Sequence, residues 1–233
     1  MKVGEHPSNP LLKALHRLHA EPLIMSIVNI AALNEAKLET DPFPHFCVPN
    51  FLSKEDVAKA ISDFPQIEHG GLFPVETLTP GSFFTKIIGE VTGPEVAEAV
   101  GRKLGLTLTG MDTMLTIRGR ARAKDGQIHT DATFKKATLL LYLNEGWSHA
   151  GGRLRVLRSN NMDDYTAEVA PEGGTLFGFQ CTDNAWHGHL PYEGVRRYIM
   201  CNFVEDKAML KRELARHRMS ARLKSLGRMV GIG

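Results

Sequence analysis

Between residues 111 and 204 the chain breaks into short runs rich in β-branched, aromatic and aliphatic residues: 113–118, 138–143, 153–157, 166–169, 175–179 and 197–204. Gly, Asn and Asp punctuate these runs. Short strands at such spacing build an antiparallel sandwich or barrel rather than alternating βαβ units. The fold expected from this pattern is mainly β, with helices packed at its flanks.

Helical signals lie on either side of the β region. Near the start, Asn9 is placed to cap, Pro10 suits a first helical position, and Leu11, Leu15 and Leu18 fall on one face. Ser53-Lys54-Glu55-Asp56 resembles a capping box and opens a helix expected to reach about Asp63. Residues 65–90 are rich in Gly, Pro and Thr without a clear period, and read as a long loop that could border a site. Gly93-Pro94 opens a further helix, with Val96, Val100 and Leu104 inward and Gly105 at its end. A last helical pattern begins after Glu205. The expected division is a helical appendage over 1–40, a central domain over 41–204 and a basic C-terminal helix over 205–233.

Composition excludes some classes of protein. Cys47, Cys181 and Cys201 are odd in number and share no close spacing, so neither a disulfide framework nor a zinc motif is expected. A reducing, cytoplasmic setting is the corresponding expectation. No run of about 18 apolar residues exists, so no membrane-spanning helix is expected. The net charge of +2 conceals an asymmetry, because residues 205–233 carry eight Lys/Arg against three Asp/Glu. That tail could serve an acidic partner such as nucleic acid, although a solvated helix covering the flank of the barrel is the favoured reading.

The chemistry centres on His129-Thr130-Asp131. On an extended chain, residues two apart point to the same face, so this imidazole and carboxylate can converge on one ion. A third ligand must come from elsewhere, and Trp186-His187-Gly188-His189 offers two candidates. Two His and one carboxylate on one face leave coordination positions open, the arrangement suited to Fe(II) oxygenases. No HExxH pattern occurs to suggest a zinc hydrolase.

The segment from Ala137 to Trp147, followed by Gly151-Gly152-Arg153-Leu154, resembles the core of the prolyl 4-hydroxylase-like branch of the 2-oxoglutarate/Fe(II) dioxygenases. There His-x-Asp precedes a YLN-x-x-W … GG-x-L stretch, and a distal His stands nine or ten residues before a basic residue. The lead-in Pro42-Phe43-Pro44-His45-Phe46 resembles that of bacterial members. The resemblance implies a double-stranded β-helix, a cupin-like jelly roll enclosing the metal. It implies His129, Asp131 and His187 as ligands, His187 being preferred to His189 because Pro191 follows four residues on. A buried Arg would hold the distal carboxylate of 2-oxoglutarate. Arg196 and Arg197 both compete, and the family's spacing of six residues to an aromatic, here Phe203, favours Arg197. The hydroxyl of Tyr142 would reach the same carboxylate.

The implied activity is hydroxylation of a C–H bond in a prolyl-type peptide or small molecule, consuming O₂ and 2-oxoglutarate, with ascorbate as a reductant. A non-catalytic jelly roll that keeps a metal, or a nucleic-acid-associated protein using the basic helix, is the alternative.

Overall fold

The computed structural model describes residues 26–229, with side chains to residue 220. The helix expected around Asn9 to Leu18 lies outside the described residues. The element order is α1 (Ile30–Glu35), β1 (His45–Val48), α2 (Lys54–Ser62), β2 (Phe73–Pro74), a 3-10 turn (Val75–Thr77), α3 (Ser82–Val91) and α4 (Pro94–Leu104). Then follow β3 (Asp112–Ala121), β4 (Lys135–Tyr142), β5 (Leu154–Leu157), β6 (Tyr165–Val169), β7 (Leu176–Gln180), β8 (His187–Gly188), β9 (Gly194–Val204) and α5 (Lys207–Met229). All named strand pairings are antiparallel. They form a six-stranded sheet of order β1-β7-β4-β9-β3-β2 and a three-stranded sheet of order β6-β5-β8. This is the double-stranded β-helix expected from the sequence.

Strand alternation divides the interior into two cores. Leu139, Leu141, Ile199, Cys201 and Phe203 point outward from the large sheet and pack under the helices with Leu33, Phe84, Ile87 and Val100. Leu140, Tyr142 and Tyr198 point the other way, toward Leu154 and Val156 of the small sheet. Strand β4 is buried on both faces, which explains the run Leu139 to Leu143 with no alternation of apolar and polar residues. A slip of one residue would exchange these two sets, so both cores fix the register.

The capping expected at Ser53 is present: its hydroxyl accepts from the Asp56 amide at 3.1 Å. Gly105 ends α4 in the left-handed region, at φ +69°. The loop expected over 65–90 is corrected in its second half, where α3 forms. Phe84, Ile87 and Val91 recur at helical spacing and are all buried, and this packing overrides the Gly and Thr content. Val28 and Leu33 belong to the helix-side core, so the body of the domain begins before residue 41. At the other end, Met209, Leu210 and Leu214 of α5 pack on Met114, Phe134 and Val204. No helix of the described residues is long and apolar enough to cross a membrane.

Candidate metal centre

Strands β3 and β4 are joined by a loop that carries His129 and Asp131, and β8 carries His187. A bridge between His129 and His187 ties the two together, each amide donating to the other's carbonyl at 3.0 Å. Their ring centroids are 4.3 Å apart. One ligand atom from each of His129, Asp131 and His187 lies within 4.8 Å of the others, and no further group of this kind occurs among the described residues.

The hydrogen bonds around the three residues prepare them as donors to a cation. His129 Nδ1 lies 2.8 Å from the Gln127 carbonyl, and His187 Nδ1 lies 2.9 Å from that of Ala185. A carbonyl can only accept, so each Nδ1 holds the proton and each Nε2 keeps its lone pair. Burial, reinforced by the neighbouring His129, pushes His187 down to about 4, so it is neutral at physiological pH. Asp131 Oδ1 accepts from Lys135 Nζ at 2.8 Å. The Thr138 hydroxyl donates to Asp131 Oδ2 and itself accepts from Asn202 Nδ2 at 2.7 Å. Burial alone would raise the Asp131 pKa, but the Lys135 charge and these hydrogen bonds hold it at about 2. Oδ2 also accepts from Cys181 Sγ at 3.7 Å, whereas Oδ1, with Lys135 as its single donor, retains a lone pair. Two imidazoles anchored through Nδ1, with Nε2 left toward the cluster, and an ionised carboxylate therefore fit a divalent metal such as iron.

These residues line a cavity of about 330 Å³ that also takes in His189, Arg118 and Arg196. His189, the rival third ligand, faces the cavity two residues beyond His187 but falls outside the cluster of ligand atoms. Burial and the Arg196 charge push it down to about 4. Gly126 lies against it with φ +88°, and an added Cβ would come within 2.3 Å of the imidazole.

The two arginines separate by strand parity. Arg196 is only 2% exposed and lines the cavity, its guanidinium 5.6 Å from the Tyr142 ring and 5.1 Å from that of Tyr198. Its Nε donates to the Gly152 carbonyl at 2.9 Å. Arg197, which the spacing to Phe203 favoured, lies on the opposite face, 5.6 Å over the Phe64 ring. The reason is that six is an even number: Arg197 shares a face with Phe203, and Phe203 packs under the helices. The expectation of Arg197 in the cavity is corrected to Arg196. Tyr142 is fully buried behind Arg196 rather than in the cavity wall. Its hydroxyl is near that guanidinium without completing a hydrogen bond.

The sequence from 120 to 205 matches the family model described as the 2OG-Fe(II) oxygenase superfamily. The matched segment begins in β3 and ends just after β9, so it contains all three clustered residues and Arg196. The chain is similar in fold to the crystal structure of a Pseudomonas putida prolyl-4-hydroxylase, with a TM-score of 0.51 at 18% identity over 76% of this chain and 98% of that one. A prolyl 4-hydroxylase structure from Phytophthora capsici gives 0.52 at 18% identity, over 78% of this chain and 64% of that one. No curated protein sequence matches the chain.

Several residues at this site carry no signal in a linear reading. Thr138 and Asn202 meet Asp131 only through strand pairing, with Thr138 opposite Asn202 across β4 and β9. Glu213, Arg216 and His217 reach the cavity from α5, which the sequence suggested as a solvated helix covering the flank of the barrel and not as a wall of the cavity. Alternation along β3 is the one signal that could have found Arg118, since it shares a face with Met114.

Proposed function

We propose that this oxygenase hydroxylates an unactivated C–H bond of a prolyl-type peptide or a small molecule, converting 2-oxoglutarate to succinate and CO₂. His129, Asp131 and His187 would hold the Fe(II). The single observation that carries this reading is the clustering of their ligand atoms, with both imidazoles presenting Nε2. Iron, when bound, supplies activation of O₂ and oxidation of the C–H bond.

The remaining work falls to the protein's own groups. Arg196 is the buried cation for the distal carboxylate of 2-oxoglutarate, because a guanidinium fork matches a carboxylate and aromatic rings on two sides fix its plane. Tyr142, buried behind it, supports that position. Lys135 and Thr138 orient the Asp131 carboxylate, and Asn202 orients Thr138. Leu140 and Leu154 line the cavity and exclude water from part of its wall. Ascorbate would serve to restore iron after cycles that miss the substrate.

A succinate-release screen against prolyl peptides, free amino acids and small carboxylic acids tests this function. The expected result is succinate formed in step with one oxidised product, and none from a His129→Ala variant. Product formation coupled to 2-oxoglutarate decay in that variant would refute the assignment.

A further inference from the structure

We infer that the substrate oxidised here carries an anionic group, a carboxylate in its simplest form, which Arg118 receives. This rests on the oxygenase reading of the site and adds to it the class of substrate.

The strand register sets out the space. Tyr142 pairs with Tyr198, and Tyr198 with Arg118, so the three form one row across β4, β9 and β3 on the face that looks into the cavity. Neighbouring strands are about 4.8 Å apart, so Arg118 stands roughly 10 Å from the β4 column. Arg196, next along β9 on the same face, serves the β4 and β9 half, where the co-substrate's distal carboxylate is assigned. The β3 half is bounded by Leu72, Met114 and Phe134 and by Arg216 and His217 of α5. Arg118 is the cation of that half left for a ligand, since Arg216 is paired with Glu213.

Its surroundings leave Arg118 able to accept a ligand. The side chain is only 12% exposed. Nε donates to the Tyr198 hydroxyl at 2.9 Å and Nη1 donates to Asp125. Nη2 meets no protein partner among the described residues, yet it is not sealed in the core. Asp125 does not cancel the charge, because Arg122 also binds it, with Nη2 at 2.8 Å. Two guanidiniums on one carboxylate leave a net positive charge. Elsewhere the acids of the cavity wall are paired: Asp131 with Lys135, and Glu213 with Arg216 at 2.6 Å. A divalent metal and doubly negative 2-oxoglutarate cancel each other, so the loaded cavity keeps the charge of Arg196, which faces the co-substrate's distal carboxylate, and a second positive charge at Arg118. A buried positive surplus beside an accessible guanidinium selects an anion. The planar fork favours a carboxylate.

The test uses the full chain loaded with Mn(II), a redox-silent substitute for Fe(II), and 2-oxoglutarate. Calorimetric titration with acetate and with acetamide compares an anion with its neutral counterpart. The expected result is saturable acetate binding and no acetamide binding. Arg118→Gln should weaken acetate by about tenfold or more, while Arg118→Lys keeps part of it. In the same protein 2-oxoglutarate should bind within about twofold of the wild type, which also shows that the variant is folded. Acetate binding that is absent, matched by acetamide, or unchanged in Arg118→Gln would overturn the inference. So would a loss of 2-oxoglutarate as large as in Arg196→Gln, which would assign Arg118 to the co-substrate. If wild-type protein with Mn(II) failed to bind 2-oxoglutarate at all, the oxygenase reading would fall first, and this inference with it.

Discussion

Asp131 is held from two sides, by Lys135 on one oxygen and Thr138 on the other, and Thr138 is held in turn by Asn202. Groups that orient a metal ligand typically change metal affinity by about 10–100-fold when removed. Thr138→Val should therefore weaken Mn(II) binding by about tenfold, and Thr138→Ser should restore most of it, as read by metal titration. The arginine pair makes a sharper contrast. Arg196→Gln should weaken 2-oxoglutarate by about 100-fold or more, since a buried carboxylate left without its partner costs several kcal/mol. Arg197→Gln, on the Phe64 side of the strand, should leave 2-oxoglutarate binding within about twofold. Equal losses in the two variants would contradict the parity argument. At this scale the triad was legible in the chain because the two-residue strand period puts His129 and Asp131 on one side. Arg197 was misplaced because spacing to Phe203 fixes only a shared face, and the sequence does not say which core Phe203 enters. Thr138 and Asn202 were invisible because their contact exists only after strands pair.

Among the elements, the long strands and α4 were legible because they carry clear periodicity and end signals, such as Gly105 after α4. Strand β8 has two residues and no period to detect; it exists because His187 bridges to His129 and pairs with Val156 of β5. Helix α3 was hidden by its Gly and Thr residues, although Phe84, Ile87 and Val91 form its buried stripe. Phe84 is fully buried and meets Phe64 edge-on at 5.3 Å between ring centroids. Phe84→Ala should destabilise the protein by about 3–5 kcal/mol, measured by denaturant unfolding. A loss under about 1 kcal/mol would mean that α3 is not part of the core.

For the whole molecule, the site sits between two sheets and is closed on one side by α5, so its ligands share the stability of the fold. His187 and His189 are both held near 4, below the ordinary value of 6.5. The unfolded chain therefore takes up their protons first as pH falls. Their neutral burial costs nothing above about 6.5, and stability is lost progressively from there down to about 4. Asp131, at about 2 against an ordinary 3.8, adds a further loss below that range. The metal-free protein should show urea midpoints that fall between pH 6.5 and 4, with a shallower fall in His189→Gln. A midpoint independent of pH over that range would contradict the burial of these imidazoles. Mn(II) at neutral pH should raise the midpoint, because it binds the folded form. The docking of α5 over the cavity was beyond the sequence reading, because Met209, Leu210 and Leu214 find their partners on β3, β9 and the loop carrying Phe134.

The central claim is that His129, Asp131 and His187 hold iron in a form that also receives 2-oxoglutarate. Anaerobic addition of Fe(II) and then 2-oxoglutarate, followed by visible absorption, tests it most directly. The account predicts a charge-transfer band that needs both additions in the wild-type protein and is absent from His187→Ala. No band in the wild type, or an equal band in His187→Ala, would contradict it.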